Sequence, residues 1–294
     1  MLILVTGAKG RLAGAIGAEL AAAGHDVTAL GRDDLDVTSA DQVRAAIARA
    51  RPEAIINCSA YNEVDKAETN QTVAFAVNAH GPSLLADAAE AAGIPLVHYG
   101  TDFVFDGTAP DPYTEDDPPN PLNIYGASKL AGEHEVRRTR RHYILRVESL
   151  FGGSGVNGQR STIDWIAVKL LAGAVVHAVV DRTASPAYVF DVARVTRLLL
   201  ENQAPFGTYH CVNSGFGTWY ELATEIARGL ATDGRIEPVM AVDLRTIAPR
   251  PRFCALSNRK LLAAGIPMPN WQAAIRRHLA TAFGTEPGMR AGAA

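Results

Sequence analysis

The chain has 294 residues, which at roughly 150 residues per domain allows about two domains or one large one. It is 48% hydrophobic and 20% charged with a formal net charge of −3, so it has enough apolar material to fold and no basic surface that points to a nucleic-acid partner. No apolar stretch reaches the ~20 residues that cross a bilayer, and the first residues lack the basic segment of a signal peptide. We therefore expect a cytoplasmic protein with no membrane partner.

The first half of the chain alternates short apolar runs with helical patterns. Strands are predicted at 2–5, 26–30, 54–56 and 95–99, and helices at 12–23, 40–50 and 72–92. Near-continuous apolar strands separated by helices are typical of a parallel sheet that is covered on both faces. Residues 1–150 are therefore predicted to form a doubly wound α/β domain of the Rossmann type.

The second half has a looser pattern. A glycine-rich loop is predicted at 151–160, followed by helices at 162–172, 191–201, 218–230 and 271–282 and by strands at 175–180 and 208–212. We expect 188–212 to rejoin the sheet, so that 151–187 and 213–283 form a smaller C-terminal substrate-binding lobe. The tail 284–294 is rich in glycine and alanine and is predicted to be flexible.

A glycine motif joins the first predicted strand to the first predicted helix. Gly7 allows a tight turn, Gly10 allows a pyrophosphate to approach the backbone, and the small Ala13 allows helix and strand to pack. The N-terminus of the helix then faces the phosphates. Because the motif follows a strand and opens a helix, it is interpreted as a dinucleotide-binding loop rather than an ordinary turn.

The end of the second predicted strand decides between NAD and NADP in such folds. An acidic side chain there holds the ribose hydroxyls, whereas a basic one accepts the 2′-phosphate. Arg32 occupies this place, and Lys9 and Arg11 add positive charge nearby. Asp33 and Asp34 follow directly, so the charge pattern is mixed. We expect NADPH as the cofactor and leave NADH open.

Tyr125 and Lys129 are four residues apart in a chain with few lysines, and this spacing places them on one face of a helix. An adjacent ammonium group favours the phenolate and is expected to lower the pKa of Tyr125, which could then exchange a proton with a carbonyl or alcohol oxygen. Thr101 ends a predicted strand at the carboxyl edge of the sheet, where its hydroxyl could orient the same oxygen. The three side chains are candidate catalytic residues.

The cysteines and histidines show no metal-site spacing. Cys58, Cys211 and Cys254 are odd in number and widely separated, and no HExxH or paired-histidine pattern is present. We expect buried free thiols and no metal held by the protein.

These motifs resemble those of the extended short-chain dehydrogenase/reductases, and most closely the dTDP-4-dehydrorhamnose reductase group. The similar segments are residues 7–13, 57–61, 64–68, 101–107, 121–133, 207–210, 213–215, 219–221 and 250–251. The resemblance implies an NADPH- or NADH-dependent reductase of a nucleotide-linked 4-keto-6-deoxy sugar, with hydride delivered to C4. It also implies that Tyr125 supplies the proton and that Thr101 aligns the carbonyl. The expected partner is the nucleotide-sugar substrate, and a homodimer is left open.

The resemblance assigns roles by position. Thr101, Tyr125 and Lys129 fall on the catalytic positions of the family, and Thr101 and Asp102 fall on the substrate side. The cofactor positions are Gly7, Gly10, Arg11 and Leu12 at the pyrophosphate, Arg32 at the ribose, Asp36 and Val37 at the adenine, and Ser59, Ala60, Tyr61, Tyr99, Tyr125 and Lys129 at the nicotinamide half.

The chain departs from the family pattern on the substrate side. Ser149 stands where the family has a pocket tryptophan, Glu148 adds a carboxylate beside it, and Arg182 replaces a more usual glutamine. A dehydratase would need a glutamate where this chain has Phe103, so dehydration is disfavoured. Two alternatives stay open: a sugar-nucleotide 4-epimerase, and a non-catalytic NADP-binding regulatory subunit of the methionine adenosyltransferase beta-subunit type.

Overall fold

The computed structural model describes residues 1–153 and 158–285. Its strands are β1 (Leu2–Thr6), β2 (Asp26–Leu30), β3 (Ala54–Asn57), β4 (Leu96–Thr101), β5 (His142–Val147), β6 (Val176–Val179), β7 (Thr183–Ala184), β8 (Gly207–His210), β9 (Gly217–Thr218) and β10 (Ile236–Val239). Its helices are α1 (Arg11–Ala22), α2 (Ala40–Ala50), α3 (Val64–Ala67), α4 (Gln71–Phe75), α5 (Gly81–Ala92), α6 (Ile124–Val136), α7 (Thr162–Leu171), α8 (Val189–Glu201), α9 (Trp219–Gly229), α10 (Arg259–Ala263) and α11 (Trp271–Phe283). Residues 154–157 of the predicted glycine-rich loop and 286–294 of the predicted flexible tail lie outside the described residues.

Six strands form one parallel sheet in the order β2-β1-β3-β4-β5-β8. The central strands are apolar along their length because helices cover both faces. On one face, Ile16 of α1 and Val192 of α8 belong to one hydrophobic cluster, and on the other, Val43 of α2 packs in a cluster with Leu85 of α5. The predicted α/β fold with a doubly wound parallel sheet is confirmed.

The later part of the chain contributes both to this sheet and to a third hydrophobic cluster. β8 pairs with β5, and α8 packs against α1. The third cluster joins α7, α9 and α11 with the short parallel pair of β6 and β10. The boundaries between a Rossmann domain and a substrate-binding lobe stay a prediction.

The helix predicted at 72–92 is interrupted. A π-helical turn, Ala76–His80, separates α4 from α5 and contains the buried Asn78. The Asn78 side chain accepts from the Tyr61 amide at 2.8 Å and donates to the Tyr61 carbonyl and to the Ser128 hydroxyl, each at 3.0 Å. The wider turn therefore accommodates a buried polar side chain whose bonds join the loop after β3 to α6, and apolar periodicity alone does not reveal it.

Several short elements were not predicted. β7, β9, β10 and α10 have two to five residues each, too few to show a periodic pattern. Within the described ranges no helix is long and apolar enough to cross a membrane. The expected free thiols are confirmed, although Cys58 is only partly buried.

Candidate active site

A cavity of about 770 Å³ lies at the carboxyl ends of the central strands. Its lining includes Gly10 and Leu12 at the start of α1, Thr101 at the end of β4, and Tyr125 and Lys129 on α6. Ligands of doubly wound sheets bind outside the carboxyl ends of the strands, and this volume is in the range of small-molecule sites. The cavity therefore brings the predicted phosphate loop and the three candidate catalytic side chains to one place.

The loop between β1 and α1 fits a dinucleotide pyrophosphate. Gly7 has φ of 69°, and a Cβ placed on it would lie 2.8 Å from the carbonyl carbon and oxygen of Cys58, so only glycine fits there. Gly10 is the N-cap of α1, and no side chain of the described residues caps the helix. The first-turn N–H groups thus stay available to an anion at the cavity, where Gly10, Arg11 and Leu12 form part of the lining.

The positions expected at the adenine and ribose end lie away from this cavity lining. Arg32 and Asp36 are exposed, and Val37 is buried. The hydroxyl and amide of Thr38 donate to the Asp36 carboxylate, at 2.7 and 2.9 Å, and these hydrogen bonds lower the pKa of Asp36.

Two cations expected to add charge near the ribose have other partners. Lys9 pairs with Asp33 on the surface. Arg11 donates to the Gly152 carbonyl at 3.0 Å and lies 3.5 Å from the Asp164 carboxylate. Of Lys9, Arg11 and Arg32, therefore, Arg32 is the one at the end of β2 that stays exposed toward a 2′-phosphate in the described structure.

The stretch after β3 is held by hydrogen bonds and presents alternate residues, Cys58, Ala60 and Asn62, to the cavity. The Ser59 hydroxyl donates to Thr6 Oγ1 at 2.9 Å, and the backbone of Tyr61 is held by Asn78. Ala60 lines the cavity, while Ser59 and Tyr61 do not appear in the described lining. Asn78 is a supporting residue that sequence reasoning missed, since a single asparagine within a helical pattern carries no signal.

The N-terminus of α6 positions Tyr125 and Lys129. Asn123 caps the helix by accepting from the Gly126 amide at 2.7 Å. A Cβ on Gly126 would lie 2.2 Å from the Phe103 carbonyl oxygen, so glycine allows the helix to approach the turn after β4 closely. Lys129 is 3% exposed and donates from Nζ to the Tyr99 carbonyl at 2.5 Å.

The prediction that the pKa of Tyr125 is lowered was wrong. Burial raises the pKa of Tyr125 well above its usual value, a hydrogen bond with Thr101 partly opposes this, and the Asp102 charge adds to it. The Lys129 ammonium group donates to the Tyr99 carbonyl. Burial lowers the pKa of Lys129 to about 8, with Glu133 opposing the shift. Desolvation therefore outweighs the charge effect inferred from the four-residue spacing.

A buried group of two carboxyls and a thiol adjoins Thr101, and sequence analysis did not anticipate it. The Thr101 hydroxyl donates to Asp102 Oδ1 at 2.9 Å, while Asp102 Oδ2 has no hydrogen-bond partner in the part of the chain that the structure describes. Glu148 Oε2 accepts from the Ser185 amide at 2.6 Å. One polar side-chain atom each of Asp102, Glu148 and Cys254 lies within 4.8 Å of the others. Burial raises the pKa of Asp102 to about 7, and burial followed by the Asp102 charge raises the pKa of Glu148 well above its usual value.

The substrate-side departures also line the cavity. Ser149 has φ of 44°, a left-handed conformation that is uncommon outside glycine and typical of constrained sites. Arg182 is another lining residue, and its buried Nε has no hydrogen-bond partner among the described residues. The position without the family tryptophan is thus a strained serine that follows the buried Glu148 in the chain and lines the same cavity as Arg182.

A buried ion pair lies beside the end of β4, next to the candidate catalytic residues. Arg146 of β5 is 1% exposed and donates to both carboxylate oxygens of Glu133 on α6, at 2.8 to 3.2 Å. A Cβ on Gly100 would lie 2.3 Å from Glu133 Oε1, so the pair occupies the space beside the end of β4. It fixes α6, and with it Tyr125, against the sheet.

The phosphate-binding loop, the parallel sheet and the Tyr-x-x-x-Lys helix define a Rossmann-type protein of the short-chain dehydrogenase/reductase class. Residues 1–283 match the family described as RmlD substrate binding domain, and the chain belongs to this family.

Three known proteins illustrate the similarity. A Streptomyces griseus protein named dTDP-4-dehydrorhamnose reductase is 39% identical over 281 residues, covering 92% of this chain and 91% of the relative. A Streptomyces antibioticus protein named "Probable dTDP-4,6-dihydroxy-2-methyloxan-3-one 4-ketoreductase" is 37% identical over 298 residues, covering 99% of both chains. The crystal structure of dTDP-4-dehydrorhamnose reductase from Bacillus anthracis in complex with NADP aligns with a TM-score of 0.90 and 31% identity, covering 95% of this chain and 99% of that one.

Proposed function

We propose that the protein is an NADPH-dependent reductase of the 4-keto group of a dTDP-linked deoxy sugar, acting in the cytoplasm. The observation that carries the proposal is the meeting of Thr101, Tyr125 and Lys129 with the uncapped N-terminus of α1 in one cavity. The names of the two Streptomyces relatives support a dTDP-sugar ketone as substrate. The NADP in the Bacillus anthracis structure supports the choice of cofactor.

The cofactor site is assigned to the start of α1 and to α6. NADPH supplies the hydride. The N–H groups at Gly10, Arg11 and Leu12 hold the pyrophosphate, and Lys129 is close enough to the cavity to hold the nicotinamide ribose. Arg32 at the end of β2 receives the 2′-phosphate.

The proton is assigned to Tyr125. Because burial raises its pKa, the phenol stays protonated at neutral pH and can serve as the acid that protonates the new alkoxide. The Thr101 hydroxyl, which lines the same cavity as the phenol, orients the ketone oxygen. When Tyr125 has lost its proton, the Lys129 ammonium group, one helical turn away, stabilises the phenolate.

The test is NADPH oxidation with a series of dTDP-linked 4-keto-6-deoxy sugars, followed by the absorbance of the reduced nicotinamide. Tyr125→Phe is expected to lower kcat by about 10²–10⁴-fold, because it removes the general acid. Tyr220→Phe, on α9 and outside the described cavity lining, is the matched control and is expected to retain the activity.

Other outcomes identify the alternatives. Interconversion of 4-epimers without net NADPH consumption would identify an epimerase. Tight NADPH binding without turnover of any keto sugar would identify a regulatory binding subunit. Analytical ultracentrifugation of the purified protein decides whether a homodimer forms.

A further inference from the structure

Sheet register places two carboxyl groups side by side at the catalytic edge. Thr101 of β4 is paired with Val147 of β5, so Asp102 and Glu148, one residue beyond each, leave neighbouring strands together. Both residues are only 4% exposed. We call them the carboxyl pair.

Among the described residues, the hydrogen-bond partners of the carboxyl pair are uncharged. The groups facing the pair are the Thr101 hydroxyl, the Ser185 amide, the Tyr125 phenol and the Cys254 thiol. Burial raises the pKa of both the phenol and the thiol, so both are neutral. Arg182 lines the same cavity, and its charge opposes the raised pKa of Cys254.

Two buried carboxyls this close cannot both be ionised, because like charges in a desolvated site repel. The carboxyl pair therefore holds one proton at neutral pH, and it titrates as a unit. The raised pKa values of both members agree with this geometry.

The proton matters because the Thr101 hydroxyl has a single hydrogen. In the structure that hydrogen is donated to Asp102 Oδ1. To donate to a ketone oxygen, the Thr101 hydroxyl must turn its hydrogen away from Asp102. Its oxygen already accepts from the Phe103 amide at 3.3 Å, and its second lone pair can then accept from a protonated Asp102. An ionised Asp102 has no hydrogen to give and instead retains the Thr101 hydroxyl.

We propose that Glu148 is a positioning residue that keeps a proton on the carboxyl pair, so that protonated Asp102 donates to Thr101 and Thr101 donates to the ketone oxygen of the substrate. The inference rests on the proposed reductase function and adds a residue to it. The proton stays on the pair throughout, while the ketone receives its hydride from NADPH and its proton from Tyr125, so no further reactant is required.

The sign of the pH dependence follows directly. Below the apparent pKa of the pair, Asp102 carries the proton and Thr101 is free to serve the ketone. Above it, Asp102 is ionised and holds Thr101. We therefore expect kcat to fall as the pH rises through the region near 7, where the pKa of Asp102 lies.

The experiment compares kcat and KM against pH for wild type, Glu148→Gln and Asp102→Asn. A glutamine donates to Asp102 and favours its ionised form, so the alkaline fall of kcat is expected to move at least one pH unit lower. One unit above the new midpoint, kcat is then expected to be about tenfold below its low-pH plateau. KM for NADPH is expected to stay unchanged. An asparagine donates to Thr101 at every pH, so in Asp102→Asn the fall is expected to move to higher pH, where Lys129 titrates.

Glu115→Gln is the control. Glu115 is a partly buried acid with a raised pKa caused by burial, it accepts from the His210 amide, and it lies outside the described cavity lining. Its pH profile is expected to match that of wild type.

Three results would overturn the inference. An even loss of kcat in Glu148→Gln, with no displacement along the pH axis, would show a merely structural role. Loss of wild-type activity with a chelator, restored by a divalent cation in wild type but not in Glu148→Gln, would show that the pair binds a metal ion instead of a proton. An infrared spectrum of the wild type near neutral pH that lacks a protonated-carboxyl band sensitive to Glu148→Gln would exclude the shared proton. Wild type that reduces no keto sugar would reject the reductase function itself, whereas active wild type with an unmoved Glu148→Gln profile rejects this inference alone.

Discussion

Glu133→Gln tests how strongly the buried ion pair behind the active site holds the fold. The change keeps the shape of the side chain but leaves the Arg146 guanidinium, 1% exposed, without its negative partner. The neighbouring His210 cannot replace the lost negative charge. Burial followed by the Arg146 charge lowers the pKa of His210 to about 3, so the ring is neutral and offers Arg146 only a hydrogen-bond acceptor.

The magnitude follows from the cost of an unpaired buried charge. Removing one partner of such a pair costs about 3–5 kcal/mol, which in a chain of this size lowers Tm by roughly 10 °C. Arg146 also makes a cation–π contact, 5.0 Å from its guanidinium carbon to the centre of the Phe105 ring, which the substitution leaves in place. Thermal unfolding followed by circular dichroism, together with urea unfolding, measures the loss.

The control is the double variant Glu133→Leu with Arg146→Met, which removes both charges and keeps similar volume. It is expected to be more stable than Glu133→Gln, because two apolar side chains carry no desolvation cost. A loss below about 1 kcal/mol in Glu133→Gln, or a double variant that is less stable than the single one, would refute the reasoning.

Two further predictions concern the phosphate loop and the stability at low pH. Gly7→Ala is expected to weaken NADPH binding at least tenfold by calorimetry, because its Cβ would meet the Cys58 carbonyl at 2.8 Å, whereas Gly14→Ala, with nothing within 4 Å, should bind normally. Burial opposes ionisation of Asp164, but hydrogen bonds from His278 and Ser161 prevail and hold its pKa well below the usual value. The stability that this carboxylate adds is therefore present above its unfolded pKa and lost as pH falls through the folded one, and Asp164→Asn should flatten the acid limb of a Tm–pH curve.

Local patterns in the sequence were sufficient to predict the frame of the molecule. The β1–α1 unit follows from an apolar run, a glycine turn and a helical pattern that are adjacent in the chain, and the Tyr125–Lys129 spacing places both side chains on one cavity.

What the sequence could not predict depends on contacts between distant segments. Asp102, Glu148 and Cys254 meet only because strand register and the return of the chain bring them together. The π-helical turn at Asn78 reflects partners on α6 and after β3. The pKa of Tyr125 is set by burial, which a spacing rule does not include.

The pairing of Thr101 with Val147 has a consequence for how this chain tolerates changes in length. Inserting one residue within β4 or β5 would turn the side chains beyond it to the opposite face and separate Asp102 from Glu148, even where the hydrogen-bond ladder could re-form. The turn between α6 and β5, around 137–141, lies at the opposite edge of the sheet and is largely exposed. An extra residue in that turn would instead leave the alignment of the two strand ends intact, because it precedes the first paired residue of β5.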